Sequence, residues 1–250
     1  MESIQTELNL YGTVFPKQEI ELVKLEKKVF DLIPLGKENA KAGAYIADVL
    51  DISTRYLTDA VRSLRLKHYD IGSTTYEGYY RFLNPQEYLE FMSKSSKDLT
   101  RRKQVQHAMG FTKIAQKIAI ETSQMASIEN GFNFHGLIFH NQENELTELE
   151  KLVFKLIPVG KENIISCNDI ANVLNIATRH VKNLVRNLRL KHYDVGSTTN
   201  GGYYIFQNTA EYLDFMNKYS KEQTRREEVI EAMRVTPMAQ KIMIETNQSA

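Results

Sequence analysis

Thiol chemistry is nearly absent from this sequence. Cys167 is its one cysteine, so no intrachain disulfide can form, and a structural or bystander thiol is expected rather than a nucleophile. Long apolar runs are missing too: none approaches the ~20 residues of a membrane-spanning helix, so no membrane partner is expected. The N-terminal stretch MESIQTELNLYG lacks a basic start followed by an apolar core, so no signal peptide is expected and a cytoplasmic protein is the simplest expectation. An excess of charge of one sign is lacking as well. Lys and Arg number 32 against 31 Asp and Glu, a net charge of +1. That argues against a molecule that coats nucleic acid through bulk charge, while leaving room for a local basic face. No phosphate-binding Gly-rich loop, zinc-spaced Cys/His set or nucleophile elbow appears, and no ATPase module. The six histidines are scattered. The expectation is therefore no enzyme, no metal and no cofactor. With 42% hydrophobic and 25% charged residues, the chain does have enough apolar surface for a core.

What is present is a repeat. Leu25-Glu26-Lys27 recurs at Leu149-Glu150-Lys151, an offset of 124, which also aligns Gly36 with Gly160, Arg55 with Arg179, Gly72 with Gly196 and Arg101 with Arg225. From Leu25 to Thr122 no gap is needed, and 59 of 98 positions are identical. Upstream, Asn9-Leu10-Tyr11-Gly12 aligns with Asn133-Phe134-His135-Gly136, and the internal Met125 aligns with Met1. Two fused copies of one gene are implied, with domains expected at 1–124 and 125–250. Under this alignment Cys167 faces Gly43, and His135 and His140 face Tyr11 and Pro16, which argues against metal binding.

Each unit reads as mainly α with a small β-hairpin, an α+β class. Apolar residues at Leu22, Leu25, Val29, Phe30 and Leu32 predict a helix ended by Pro34 and Gly36. A second helix is expected from Ala42 to Leu50, with Ile46, Val49 and Leu50 inward. Ser53 is a good N-cap for a third, with Leu57, Ala60, Val61 and Leu64 on its buried face. Aromatic and β-branched residues on both sides of Gly78 predict a hairpin between Tyr69 and Phe82. Pro85 suits the first position of a long helix to Met109 with Tyr88, Leu89, Phe91, Met92, Leu99, Val105 and Met109 as apolar positions. An amphipathic stretch Ile114–Ile120 follows, mirrored by Met238–Ile244. These stripes are expected to pack the two copies together as an intrachain pseudo-dimer, leaving a further homodimer open. Leu8–Phe15 alternates enough to suggest a short strand.

Helix, helix–turn–helix, then hairpin is the order of a winged helix, whose second short helix can present a polar face to a major groove. Ile52-Ser53-Thr54-Arg55 and Ile176-Ala177-Thr178-Arg179 resemble the turn and recognition-helix start of bacterial helix–turn–helix regulators. The run Leu64-Arg65-Leu66-Lys67-His68-Tyr69-Asp70-Ile71-Gly72-Ser73 with Gly78-Tyr79-Tyr80, repeated at Leu188–Ser197 and Gly202-Tyr203-Tyr204, resembles the wing of winged helix-turn-helix DNA-binding proteins of phages and mobile elements of Gram-positive bacteria. Thr100-Arg101-Arg102 and Thr224-Arg225-Arg226 fit that family too. The resemblance covers about residues 20–110 and 144–234 and implies two tandem winged-helix domains, each with a long C-terminal helix. The duplication departs from the family's usual single unit.

The candidate DNA-binding residues lie on the third helix and the wing of each copy: Thr54, Arg55, Tyr56, Asp59, Arg62, Lys67, Thr74 and Thr75 in the first, and Thr178, Arg179, His180, Lys182, Asn183, Arg186, Lys191, Thr198 and Thr199 in the second. Arginine can pair bidentately with guanine, asparagine with adenine, and either cation can hold a phosphate. From Ile176 to Tyr193 there is no acidic residue, the local basic footprint that the net charge conceals. Arg65 reads equally as a phosphate contact or as a tie between helix end and sheet. The expected partner is double-stranded DNA, for transcription regulation or DNA replication. The alternative is a protein-interaction module, such as a phage-encoded inhibitor of a host protein.

Overall fold

The computed structural model describes residues 22–74, 78–130, 145–199 and 201–248. The chain is mainly helical and, apart from a short 3-10 turn at Lys37–Asn39, builds the same order of elements twice. In the first copy these are α1 (Lys24–Leu32), β1 (Lys41–Ala42), α2 (Gly43–Leu50), α3 (Thr54–Leu66), β2 (Ile71–Ser73), β3 (Gly78–Arg81), α4 (Pro85–Met109) and α5 (Lys113–Asn130). In the second they are α6 (Glu148–Leu156), β4 (Ile165–Ser166), α7 (Cys167–Leu174), α8 (Thr178–Leu190), β5 (Val195–Ser197), β6 (Gly202–Ile205), α9 (Thr209–Met233) and α10 (Pro237–Gln248). The strand suggested at Leu8–Phe15 lies outside the described residues. No helix among those described is long and apolar enough to cross a membrane.

Local chemistry accounts for the ends of the short helices. The Ser53 hydroxyl accepts from Tyr56 N–H at the start of α3, satisfying a donor the first turn leaves free. Asp51 closes α2 in the left-handed region at φ 52°, and the turn into α3 is set by Ile52 N–H donating to Ala47 O. His68 plays the same part after α3, at φ 66°, with Tyr69 N–H donating to Leu64 O. The helices and hairpin enclose Val29, Ile33, Ile46, Leu57, Val61, Leu64 and Ile71. The equivalent residues Val153, Ile157, Ile170, Val181, Val185, Leu188 and Val195 do so in the second copy. The hairpin is joined by a third, two-residue strand that the sequence did not suggest. β1 pairs antiparallel with β3 (Lys41 opposite Tyr79) and β2 with the other edge of β3 (Gly72 opposite Tyr80), giving the order β1-β3-β2. β4-β6-β5 repeats it.

The compact units do not follow the repeat boundaries expected at 124 and 125. One is formed by residues up to Leu99 together with those from Thr224 on, the other by Thr100–Gln223. The chain changes unit within α4 and again within α9. Each unit therefore combines the helices and sheet of one copy with the C-terminal arm of the other. In the first unit, Tyr80, Phe82, Tyr88 and Phe91 of copy one cluster with Met233 and Ala239, and Met238 and Ile242 pack against them. In the second, Tyr204, Phe206, Tyr212 and Phe215 cluster with Val105 and Met109, with Ile114 and Ile118 alongside. The expected packing of one copy's stripe on the other copy thus holds for these four positions. Ile120 and Ile244 are exposed.

Polar contacts fix the same docking. Tyr88 donates its hydroxyl to Met233 O and Tyr212 donates to Met109 O, each at 3.0 Å. Asp70 accepts from Met238 N–H at the start of α10, and Asp194 from Ile114 N–H at the start of α5. His68 Nδ1 lies 3.0 Å from Ala232 O and His192 Nδ1 2.9 Å from Ala108 O.

Candidate nucleic-acid interface

The outward faces of α3 and α8 carry the side chains the sequence singled out. On α3, burial of Leu57, Ala60, Val61 and Leu64 turns Thr54, Arg55, Tyr56 and Asp59 to the surface. On α8, burial of Val181, Leu184, Val185 and Leu188 does the same for Thr178, Arg179, His180, Lys182 and Asn183. The side chains of Arg55, Asp59, Arg179, Lys182 and Asn183 make no hydrogen bond or ion pair among the described residues. The two faces differ in charge: Thr58 and Asp59 on α3 stand where α8 has Lys182 and Asn183.

Several expected contacts are withdrawn from this surface. Lys67 and Lys191 turn inward, with Nζ 2.6 Å from the buried carboxylates of Glu26 and Glu150 respectively. Burial works to raise the pKa of both glutamates, but the bonds from Lys67, Ser63 and Val23 N–H, and from Lys191 and Thr147, outweigh it and hold them below the ordinary value. These lysines tie α1 to α3 and α6 to α8, which corrects their placement on a phosphate-facing surface. For Arg65, the tie to the sheet is what the structure shows. Its Nε donates to Ile71 O and its guanidinium lies 5.0 Å from the Phe91 ring, with Arg189 matching it on Val195 O and Phe215. Burial lowers the Arg65 pKa to about 10, which still leaves it charged at neutral pH.

In the two hairpins, Thr74 and Thr198 are half-buried, and their hydroxyls accept from Gly78 N–H and Gly202 N–H, closing the turns. Thr199 is exposed, and Thr75 lies outside the described residues. Cys167 is buried at the first position of α7, with Sγ 3.5 Å from Thr178 O, and burial beside it pushes the Tyr203 hydroxyl up to about 12. Among the described residues, no group of three His, Cys, Asp or Glu side chains is placed to hold a metal ion.

Arg62 and Arg186, one turn further along, are half-buried and engaged by the arms. Arg62 is paired with the carboxylate of Glu228 on α9. Arg186 donates to the amide oxygen of Gln104 on α4 at 3.0 Å. Glu228 and Gln104 are equivalent positions of the repeat, and sequence reasoning missed both. They stand 166 and 82 residues from their partners, so no local pattern announces the contact. Comparison with protein-family models, curated protein sequences and solved structures finds no match to this chain.

Proposed function

We propose that each module of three helices and a hairpin is a winged helix, with α3 and α8 as recognition helices. The protein is then a sequence-specific double-stranded DNA-binding protein. In this reading it serves as a transcription regulator or replication-origin-binding factor of a phage or mobile element, in the cytoplasm; the family resemblance supports the DNA-binding fold and leaves the process open. The observation that carries this reading is the outward polar face of α3 and α8. Arg55 and Arg179 stand there at equivalent positions without a partner among the described residues, on helices whose other face is locked into a core. A guanidinium so placed can meet guanine O6 and N7. The faces share Arg55/Arg179 but differ at Tyr56/His180, Thr58/Lys182 and Asp59/Asn183, so the site is bipartite, with two related but non-identical half-sites. Packing of each arm on the other copy supports treating the chain as an intrachain counterpart of a homodimer.

The double variant R55A/R179A is expected to lose roughly 1–3 kcal/mol of specific binding per base contact removed. A gel shift on selected duplexes, beside a circular-dichroism check of the fold, measures it, and unchanged affinity removes the recognition-helix assignment. The second reading, a protein-interaction module such as an inhibitor of a host protein, is favoured by the exposed Tyr45, Val49 and Tyr56 of copy one, at 52, 51 and 66% exposure. It requires no salt-sensitive DNA binding, so duplex fragments titrated at two salt concentrations separate the two.

A further inference from the structure

We infer that the exchanged arms make the two recognition helices unequal. Glu228 on α9 neutralises Arg62 of α3, whereas the uncharged Gln104 on α4 leaves the charge of Arg186 on α8 uncompensated and effective toward phosphate. The inference rests on the DNA-binding reading and names a residue of each copy that tunes the helix of the other. Its ground is the arm contact itself: the same arginine position meets a carboxylate in one unit and an amide in the other. The surrounding arm residues lean the same way. α9 carries Glu227, Glu228 and Glu231 where α4 carries Lys103, Gln104 and His107.

The exchange also redistributes charge. Counted by repeat, residues 1–124 hold 18 Lys and Arg against 16 Asp and Glu, and residues 125–250 hold 14 against 15, net +2 and −1. Over the described residues alone, the compact units hold 16 Lys and Arg against 14 Asp and Glu and 15 against 11, net +2 and +4, so the unit that presents α8 is the more basic. A phosphate approaching Arg62 must compete with a carboxylate already paired to it. One approaching Arg186 displaces only a neutral acceptor. Arg62 and Glu228 side chains are 35% and 50% exposed, so the competition takes place in solvent and is read through salt.

The test uses the full chain and its variants E228Q and Q104E, titrated against a labelled mixed-sequence DNA duplex from about 50 to about 200 mM salt, with thermal melting as a fold control. E228Q is expected to tighten binding at low salt by about two- to fivefold and to steepen the salt dependence by about one phosphate contact. Q104E is expected to weaken and flatten it by similar amounts. Wild-type binding with both variants unchanged overturns the inference and leaves the DNA-binding reading standing. So does weaker binding by E228Q, which would mean that the pair positions Arg62 rather than damping it. Absence of binding by the wild type at low salt overturns the reading and the inference together. Should Q104E melt early, E228Q alone decides, since it keeps an acceptor for Arg62 and removes only the charge.

Discussion

Burial works against the charge of both Glu26 and Asp70, yet the two end on opposite sides of the ordinary carboxylate range. Glu26 gathers Lys67, Ser63 and Val23 N–H, and falls below its usual 4.5. Asp70 sets Met238 N–H and the nearby Thr236 hydroxyl, which itself donates to Met233 O, against burial, and rises above its usual 3.8, as Asp194 does beside Ile114 N–H and Thr112. The depressed glutamates stabilise the fold above the ordinary carboxylate value, and that contribution is lost as pH falls through their folded pKa. The raised aspartates act in the other direction: their contribution is complete below 3.8 and is lost as pH rises through the folded value. At neutral pH these aspartates hold the arms while bearing a charge that burial disfavours. An amide keeps the acceptor without the charge. The double variant D70N/D194N is therefore expected to be at least as stable as the wild type at neutral pH, with the advantage closing in acid. Urea unfolding across that range measures it, and a loss of stability at neutral pH refutes it. The sequence marked Asp70 only as part of the run that leads into the hairpin. It could not show that this side chain caps a helix 168 residues away, or that Lys67 is occupied by a glutamate 41 residues upstream.

Helices were legible where a periodic face is long enough to average over. α3 and α8 bury the four positions their spacing marks, and α4 begins at Pro85 as its fixed φ favours. α2 is only eight residues long and buries Gly43, Ile46 and Ala47. Val49, expected inward, is left 51% exposed. Leu89 is exposed likewise, because Tyr88, Phe91 and Met92 already fill the covered face of α4. β1 is two residues long, Lys41–Ala42, and offers no alternation to read. The hairpin was legible, though not the use made of its glycine. A Cβ on Gly72 would lie 2.5 Å from the Tyr80 ring and 2.8 Å from the Phe82 ring, the aromatic surface on which α10 docks. G72A is therefore expected to displace those rings and destabilise by about 1–3 kcal/mol. Increased dye binding by uncovered aromatic surface accompanies the loss. Full stability in G72A means that the rings move without cost.

Close similarity of the two copies is why the sequence could reveal the repeat and not the exchange. Each arm offers an apolar stripe, a capping threonine and main-chain acceptors to a hairpin that is almost the same in both copies, so its own hairpin and the other's are equivalent destinations on paper. The structure chooses the other. Residues 1–124 expressed alone retain an arm but lose residues 224–250, which cover their hairpin. The half-chain is expected to form a homodimer in which each protomer lends its arm to its partner. Sedimentation equilibrium tests this; a monomer at all concentrations, with α5 folded back on its own hairpin, refutes it. The arm exchange bears also on inheritance. Selection acting on the helix that contains Arg62 is felt at codon 228, in the other repeat, and selection on Arg186 at codon 104. Each half of the gene drifts under constraints set by its twin, and a recombination event that replaced one repeat with a copy of the other would alter the surroundings of α3 and α8 at once.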